Sequence, residues 1–416
     1  MKRIVVVLAL ALIAGVLAVA CNGDGVGEES PTPSLTTTAV PGVTATPAAP
    51  AFSGQIAYIL PEEGDIWLVS ADGSGARRLV QGQCRQAAGP LWSHRGDKIA
   101  CVSRGTGEEP QTKIAVFDLE GRTVALAEHK AWLAGFAWSA DGRHFVYGIS
   151  EGDAVEAARP ILIIGDAESE ATVRLEDAQD GRWSPDGSQL AYLKAGGELT
   201  IYDLPSGQTR ALGRGLRPLA WALGDEALLV AADYQEQEMA VNYEASLLDV
   251  ASGQMTRVPE LDNGTQFWLS PDGQAAAFLA GPAARPEGGV TISILDLTTR
   301  NVTAIEGAVI GYPSEAIPYD HVAFSVDGAH VYWVDVVTKS GQDRSGTIYR
   351  ARPDGSELTQ LATVKATLFS FSPDRTMVLY SDGAALWVAG VDGSDARSLA
   401  EVVAMGWPPA AWRPLP

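Results

Sequence analysis

Cysteine, histidine and basic residues are all scarce in this chain. Lysine and arginine together number 30 against 51 aspartates and glutamates, a formal net charge of −21 over 416 residues. A protein this acidic repels the phosphates of nucleic acids, so no nucleic-acid partner is expected. The five histidines do not cluster. His94, His144 and His330 lie in or beside turn motifs, and His129 and His321 fall in loops between repeats. No pair has the spacing of a zinc site, and neither a metal nor a cofactor is expected. Charged residues make up 19 %, below the quarter usual for globular proteins, and aromatics 7 %. The chain is instead rich in glycine (44) and proline (24), the composition of a fold that turns often.

Lys2 and Arg3 precede an almost unbroken apolar run from Ile4 to Val19, with small residues at Ala18 and Ala20 before Cys21. This has the form of a bacterial secretory signal peptide. The ending LAVAC resembles a lipobox, after which the leader is cut and the cysteine acylated; it departs from that pattern in having Ala18 where leucine is usual. Residues 1–21 are therefore expected to be a signal peptide with Cys21 as the lipid anchor. Ordinary cleavage and an uncleaved anchor are the alternatives. Each places the rest of the chain outside the cytoplasm, on the outer side of the membrane. Loss of Lys2 and Arg3 takes the charge from −21 to −23. Residues 22–52 are proline, threonine and alanine with almost no large apolar side chain, and are expected to stay extended as a tether. At roughly 3 Å per residue such a tether reaches up to about 90 Å.

Cys84 and Cys101 remain, a pair in an oxidising compartment. A disulfide between them closes a short loop and contributes about 3 kcal/mol. Two unpaired buried thiols are the alternative.

Residues 53–416 repeat. A turn motif appears as WSHRGDKIA at Trp92, WSADGRHFV at Trp138 and WSPDGSQLA at Trp183. It weakens to WALGDEALL at Trp221 and returns at Leu269, Phe324 and Phe371, with a last fragment, WRP, at Trp412. The seven intervals between Trp92 and Trp412 average about 46 residues. Each turn is followed by an apolar strand such as LAYL, a second such as LTIYDL, a Gly- or Asp-rich turn and a short closing strand. Four short strands joined by hairpins make a propeller blade. In SPDG, proline suits the first corner of a type I turn, Asp tolerates the second and Gly takes the left-handed position that follows. Its carboxylate is read as a turn former.

The first strand set, 54–80, lacks the turn motif and its preceding inner strand, whereas PAAWRP at 409–414 has that strand and nothing after it. The ends are expected to complete one blade together, which leaves no open sheet edge. The reading is an all-β, eight-bladed propeller; seven blades is the alternative, because Trp221 marks a degenerate repeat. WSPDG with an apolar strand and a D-L/x-x-G turn resembles the TolB-type, WD40-like repeat, over essentially all of 53–416. TolB carries six such blades after a separate N-terminal domain. The propellers of prolyl oligopeptidase and dipeptidyl peptidase relatives use similar repeats beside an α/β-hydrolase domain, for which no residues remain here.

Gly148-Ile-Ser150-Glu-Gly152 matches G-x-S-x-G, but it trails a blade strand instead of joining a strand to a helix, so no nucleophile is assigned. Loop lengths carry more. The first and third hairpins of each unit are uniformly short and share one face of the disc. The second hairpins and the links between blades lie on the other, and are long at 103–113, 150–160, 233–244, 280–291, 338–347 and 306–323. Variable loops on a rigid scaffold commonly bind. The ligand-face candidates there are Trp132, Tyr234, Tyr312, Tyr319 and Asp320; the alternative is that Tyr312 and Tyr319 only pin a long loop. The expected function is a monomeric, non-catalytic, membrane-tethered module that binds a protein, peptide or glycan of the cell envelope. The alternative is a propeller hydrolase or lyase acting on glycans at the central channel.

Overall fold

The apolar strands of each repeat are apolar on both sides, which suits a sheet covered on both faces. In the computed structural model they form eight four-stranded antiparallel sheets. The structure describes residues 54–415 apart from 61–62, 86, 105–110, 152–158, 170, 238–239, 263–265, 281–289, 311–321, 341–342, 367 and 402–409. Blade 1 joins Ala410–Trp412 to Gln55–Leu60, Asp65–Ser70 and Arg77–Val80. Blades 2 to 8 follow in order at 87–129, 132–176, 178–214, 216–257, 267–310, 322–364 and 368–401. The closure pairs Ile56 with Trp412 and Tyr58 with Ala410, and the Arg413 amide donates to the Gln55 carbonyl at 2.8 Å. The count is eight, not seven. In blade 5 the sequence WALGD still turns, with Leu223 and Gly224 both left-handed at φ of 53° and 66°.

Eight apolar clusters fill the eight interfaces between blades. Strand alternation distributes each blade between two of them. Ala57 and Ile59 pack toward blade 2, while Ile56 and Tyr58 pack toward blade 8. Cys84 and Cys101 are joined by a disulfide with their Cα atoms 5.9 Å apart, buried at the interface of blades 1 and 2.

The aromatic before each turn does more than fill space. The indole of Trp92 donates to the Ala411 carbonyl, Trp138 to Leu91, Trp183 to Ala137, Trp221 to Arg182 and Trp412 to Ser370, at 2.9–3.3 Å. Each acceptor lies one residue before the equivalent aromatic of the preceding blade. These bonds link successive innermost strands, so the first strand of each sheet lines the channel.

Two of the expected long loops are mostly strand. Ala227–Gln237 pairs with Ala240–Asp249, and Val331–Ser340 with Asp343–Ala351. The stretches 233–244 and 338–347 are therefore the far ends of β-ribbons on the loop face. The length of a hairpin in sequence does not say how far its two strands stay paired. His129 likewise ends the strand Thr123–His129 instead of lying in a loop.

Candidate functional site

The innermost strands are short and mostly apolar: AAGPLW, WLAGFAW, AQDGRW, LRPLAWA, FWL, VAF, LFSF and AAW. Their charged residues are Asp180, Arg182 and Arg217 alone, all in the adjacent blades 4 and 5. Each strand runs from the loop face toward the turn face. Arg217 thus stands near the loop-side mouth and Arg182 deeper.

A β-bulge between Gln179 and Arg182 sets their positions. Asp180 occupies the left-handed region there, φ 57°, which aspartate tolerates better than most residues. Arg217 and Asp180 form an ion pair, Nε lying 2.7 Å from Oδ2, and a terminal nitrogen of the guanidinium donates to Oδ1 at 3.1 Å. The same guanidinium lies over the Tyr234 ring, 4.2 Å from its centre. Tyr234 in turn stacks on Tyr243, whose hydroxyl burial pushes up to about 12. The ribbon of blade 5 therefore holds Arg217, and Arg217 holds Asp180.

Arg182 is left over. Its Nε donates to the Leu219 carbonyl of blade 5 and a terminal nitrogen to the Gly181 carbonyl, both at 3.1 Å. Among the described residues it has no carboxylate within ion-pair distance. Its side chain is reached by water, yet enclosure by the surrounding protein pulls its pKa below the usual guanidinium range, with Asp180 opposing the shift and Arg217 adding to it. Arg182 is thus a water-exposed cation on the innermost strand of blade 4, held by two backbone carbonyls.

Of the residues expected on the ligand face, Trp132 opens the innermost strand of blade 3 and is half-exposed. Tyr234 is partly buried against Arg217. The two sit on blades 3 and 5 with blade 4 between them, so the structure does not bring them together. Tyr312, Tyr319, Asp320 and Cys21 lie outside the described residues. Ser150 sits within the strand His144–Glu151, paired with Trp132 and Pro160. Among the described residues no group of three potential metal ligands occurs. A separate cleft of about 520 Å³ opens between blades 2 and 3, with Leu126, Phe145 and Tyr147 among its walls. The Tyr147 hydroxyl lies 2.9 Å from His129 Nε2 and is pushed up to about 12 by burial, which also lowers the histidine.

Sequence reasoning missed Asp180, Arg182 and Arg217. The signal was present. Once the innermost strands are aligned on their closing aromatics, AQDGRW and LRPLAWA are the charged ones.

The sequence matches no known protein family and no curated protein. Solved structures do match. A eukaryotic initiation factor superposes with a TM-score of 0.58 at 15 % identity, over 87 % of this chain and 98 % of that one. TolB from Acinetobacter baumannii gives 0.37 at 16 %, over 77 % and 83 %. The β-propeller domain of the trilobed protease from Pyrococcus furiosus, described as having an open velcro topology, gives 0.44 at 15 %, over 65 % and 83 %. Likeness at these identities concerns fold alone, and the fold of this chain is an eight-bladed β-propeller closed by its two ends.

Proposed function

We propose that the protein is a non-catalytic binding module of the bacterial envelope, exported and held at the membrane through Cys21, with its ligand received at the loop-side mouth of the channel. The observation that carries this is that, among the described residues, the charges on the innermost strands fall on the adjacent blades 4 and 5, beside the long ribbon of blade 5. Blades repeated for stability alone have no need of one charged sector. Asp180 is the single carboxylate on the innermost strands and is engaged by Arg217, so those strands assemble no acid–base pair of the kind a glycosidase uses. The N-terminal residues 1–52 supply the leader and tether that support the location.

Capture from envelope extract by the purified full chain, beside a variant with only 311–321 replaced by a short Gly-Ser link, so that the strands ending at 310 and starting at 322 are kept, tests the placement. The variant is expected to lose most of the recovered material. Equal recovery by both would move the binding surface elsewhere. Mass spectrometry of the mature N-terminus tests the anchor: a diacylglyceryl group is expected on Cys21, and an unmodified cysteine would remove the lipid-anchor claim.

A further inference from the structure

The charged sector has a sign. Two guanidiniums face one carboxylate, inside a protein whose overall charge is −21. Asp180 is ion-paired with Arg217 and accepts one hydrogen bond from it. Among the described residues Arg182 donates to the neutral carbonyls of Leu219 and Gly181 and has no carboxylate within ion-pair distance. The side chain is open to water, so an arriving anion meets the guanidinium without displacing a protein partner. A fold needing only a clasp between blades 4 and 5 obtains one from the Trp221 indole, which already donates to the Arg182 carbonyl at 2.9 Å. The guanidinium's remaining donors form a planar fork suited to two oxygens of one anion.

We infer that Arg182, with Arg217 beside it, is an oxyanion site in the channel that receives a carboxylate or phosphate group of the ligand. This rests on the binding role proposed above and names the chemistry recognised. Tyr234 is a positioning residue, because it fixes Arg217, and Arg217 keeps Asp180 from neutralising Arg182.

The test is a titration of the full chain with inorganic phosphate and, separately, acetate, read on the arginine side-chain Nε–H resonances. Saturable movement of the Arg182 signal is expected with at least one probe. Response to phosphate alone assigns a phosphoryl ligand, and response to acetate alone a carboxylate. In Arg182→Gln the response remaining at Arg217 should need at least tenfold more anion; Arg182→Lys, which keeps the charge but not the fork, should fall between. No saturable change at Arg182 with either probe, or an equal response at Arg217 in wild type and Arg182→Gln, would overturn the site. A silent titration alongside intact capture from envelope extract would remove the oxyanion site and leave the binding role standing.

Discussion

At the turn end of the channel, the polar groups of the repeat are committed to one another. Ser184 Oγ donates to Asp186 at 2.6 Å and accepts from the Gln189 amide at 2.9 Å. Ser270 with Asp272 and Ala275 does the same, as does Ser372 with Asp374 and Met377. Neighbouring turns also touch, the Asp186 amide donating to Asp225 of the next blade at 3.2 Å. At the loop end, hairpins differ from blade to blade, and deeper in the channel Arg182 has no carboxylate within ion-pair distance among the described residues. The repeated motif is thus chemically closed, whereas the irregular end is open. Repetition in this sequence marks what the fold needs, and departure from it marks what is available for a ligand.

Substitutions at the turn end should therefore change stability without changing binding. The largest effect is expected at Gly187, φ 75°, where an added Cβ would lie 2.5 Å from Ser139 Oγ and 3.1 Å from the Asp141 amide. Gly187→Ala should cost about 3 kcal/mol in chemical denaturation, combining backbone strain with a clash between blades. Gly224→Ala, at φ 66° with nothing within 4 Å, should cost only about 1 kcal/mol. Equal losses would mean that adjacent turns do not constrain each other. Next comes the disulfide. Cys84→Ser with Cys101→Ser should lower stability by about 3 kcal/mol or less, and reductant should have no further effect on that variant.

Trp138→Phe leaves the Leu91 carbonyl without its donor and should cost about 1–3 kcal/mol. Phe324 and Phe371 hold the same position without a donor, so the ring tolerates such gaps. Acid should act chiefly on the turn end. Arg143 holds the Asp166 carboxyl well below its usual range, and Ser270 does so more weakly for Asp272. A carboxyl with a depressed folded pKa stabilises the fold above its unfolded value near 4, and that contribution is lost as pH falls through the folded value. The urea midpoint should thus drop steeply below about pH 4, and Arg143→Gln should flatten that drop. An unchanged slope would show that these bonds add no pH-dependent stability.

Much of the fold was legible because each blade repeats one pattern of turn, strand and alternation. Even WALGD could be placed, since its spacing held although its letters did not. The pairing within 233–244 and 338–347 was not legible, because a long gap between apolar strands does not reveal how far the backbone ladder continues into it. The channel charges could be located from sequence, as Asp180, Arg182 and Arg217 interrupt otherwise uncharged strands. Which of them stays unmatched could not. That depends on a bulge, on a left-handed aspartate and on a tyrosine from another hairpin, none of which the spacing of residues encodes.

One comparison tests the asymmetry of the two ends most directly. Full-length protein, Arg182→Gln/Arg217→Gln and the turn-end variant Asp327→Asn would be immobilised in parallel, and the envelope material each retains would be measured by mass spectrometry. The paired arginine variant should retain at least tenfold less, while Asp327→Asn matches wild type. Loss of retention in Asp327→Asn with none in the arginine variant would contradict the account.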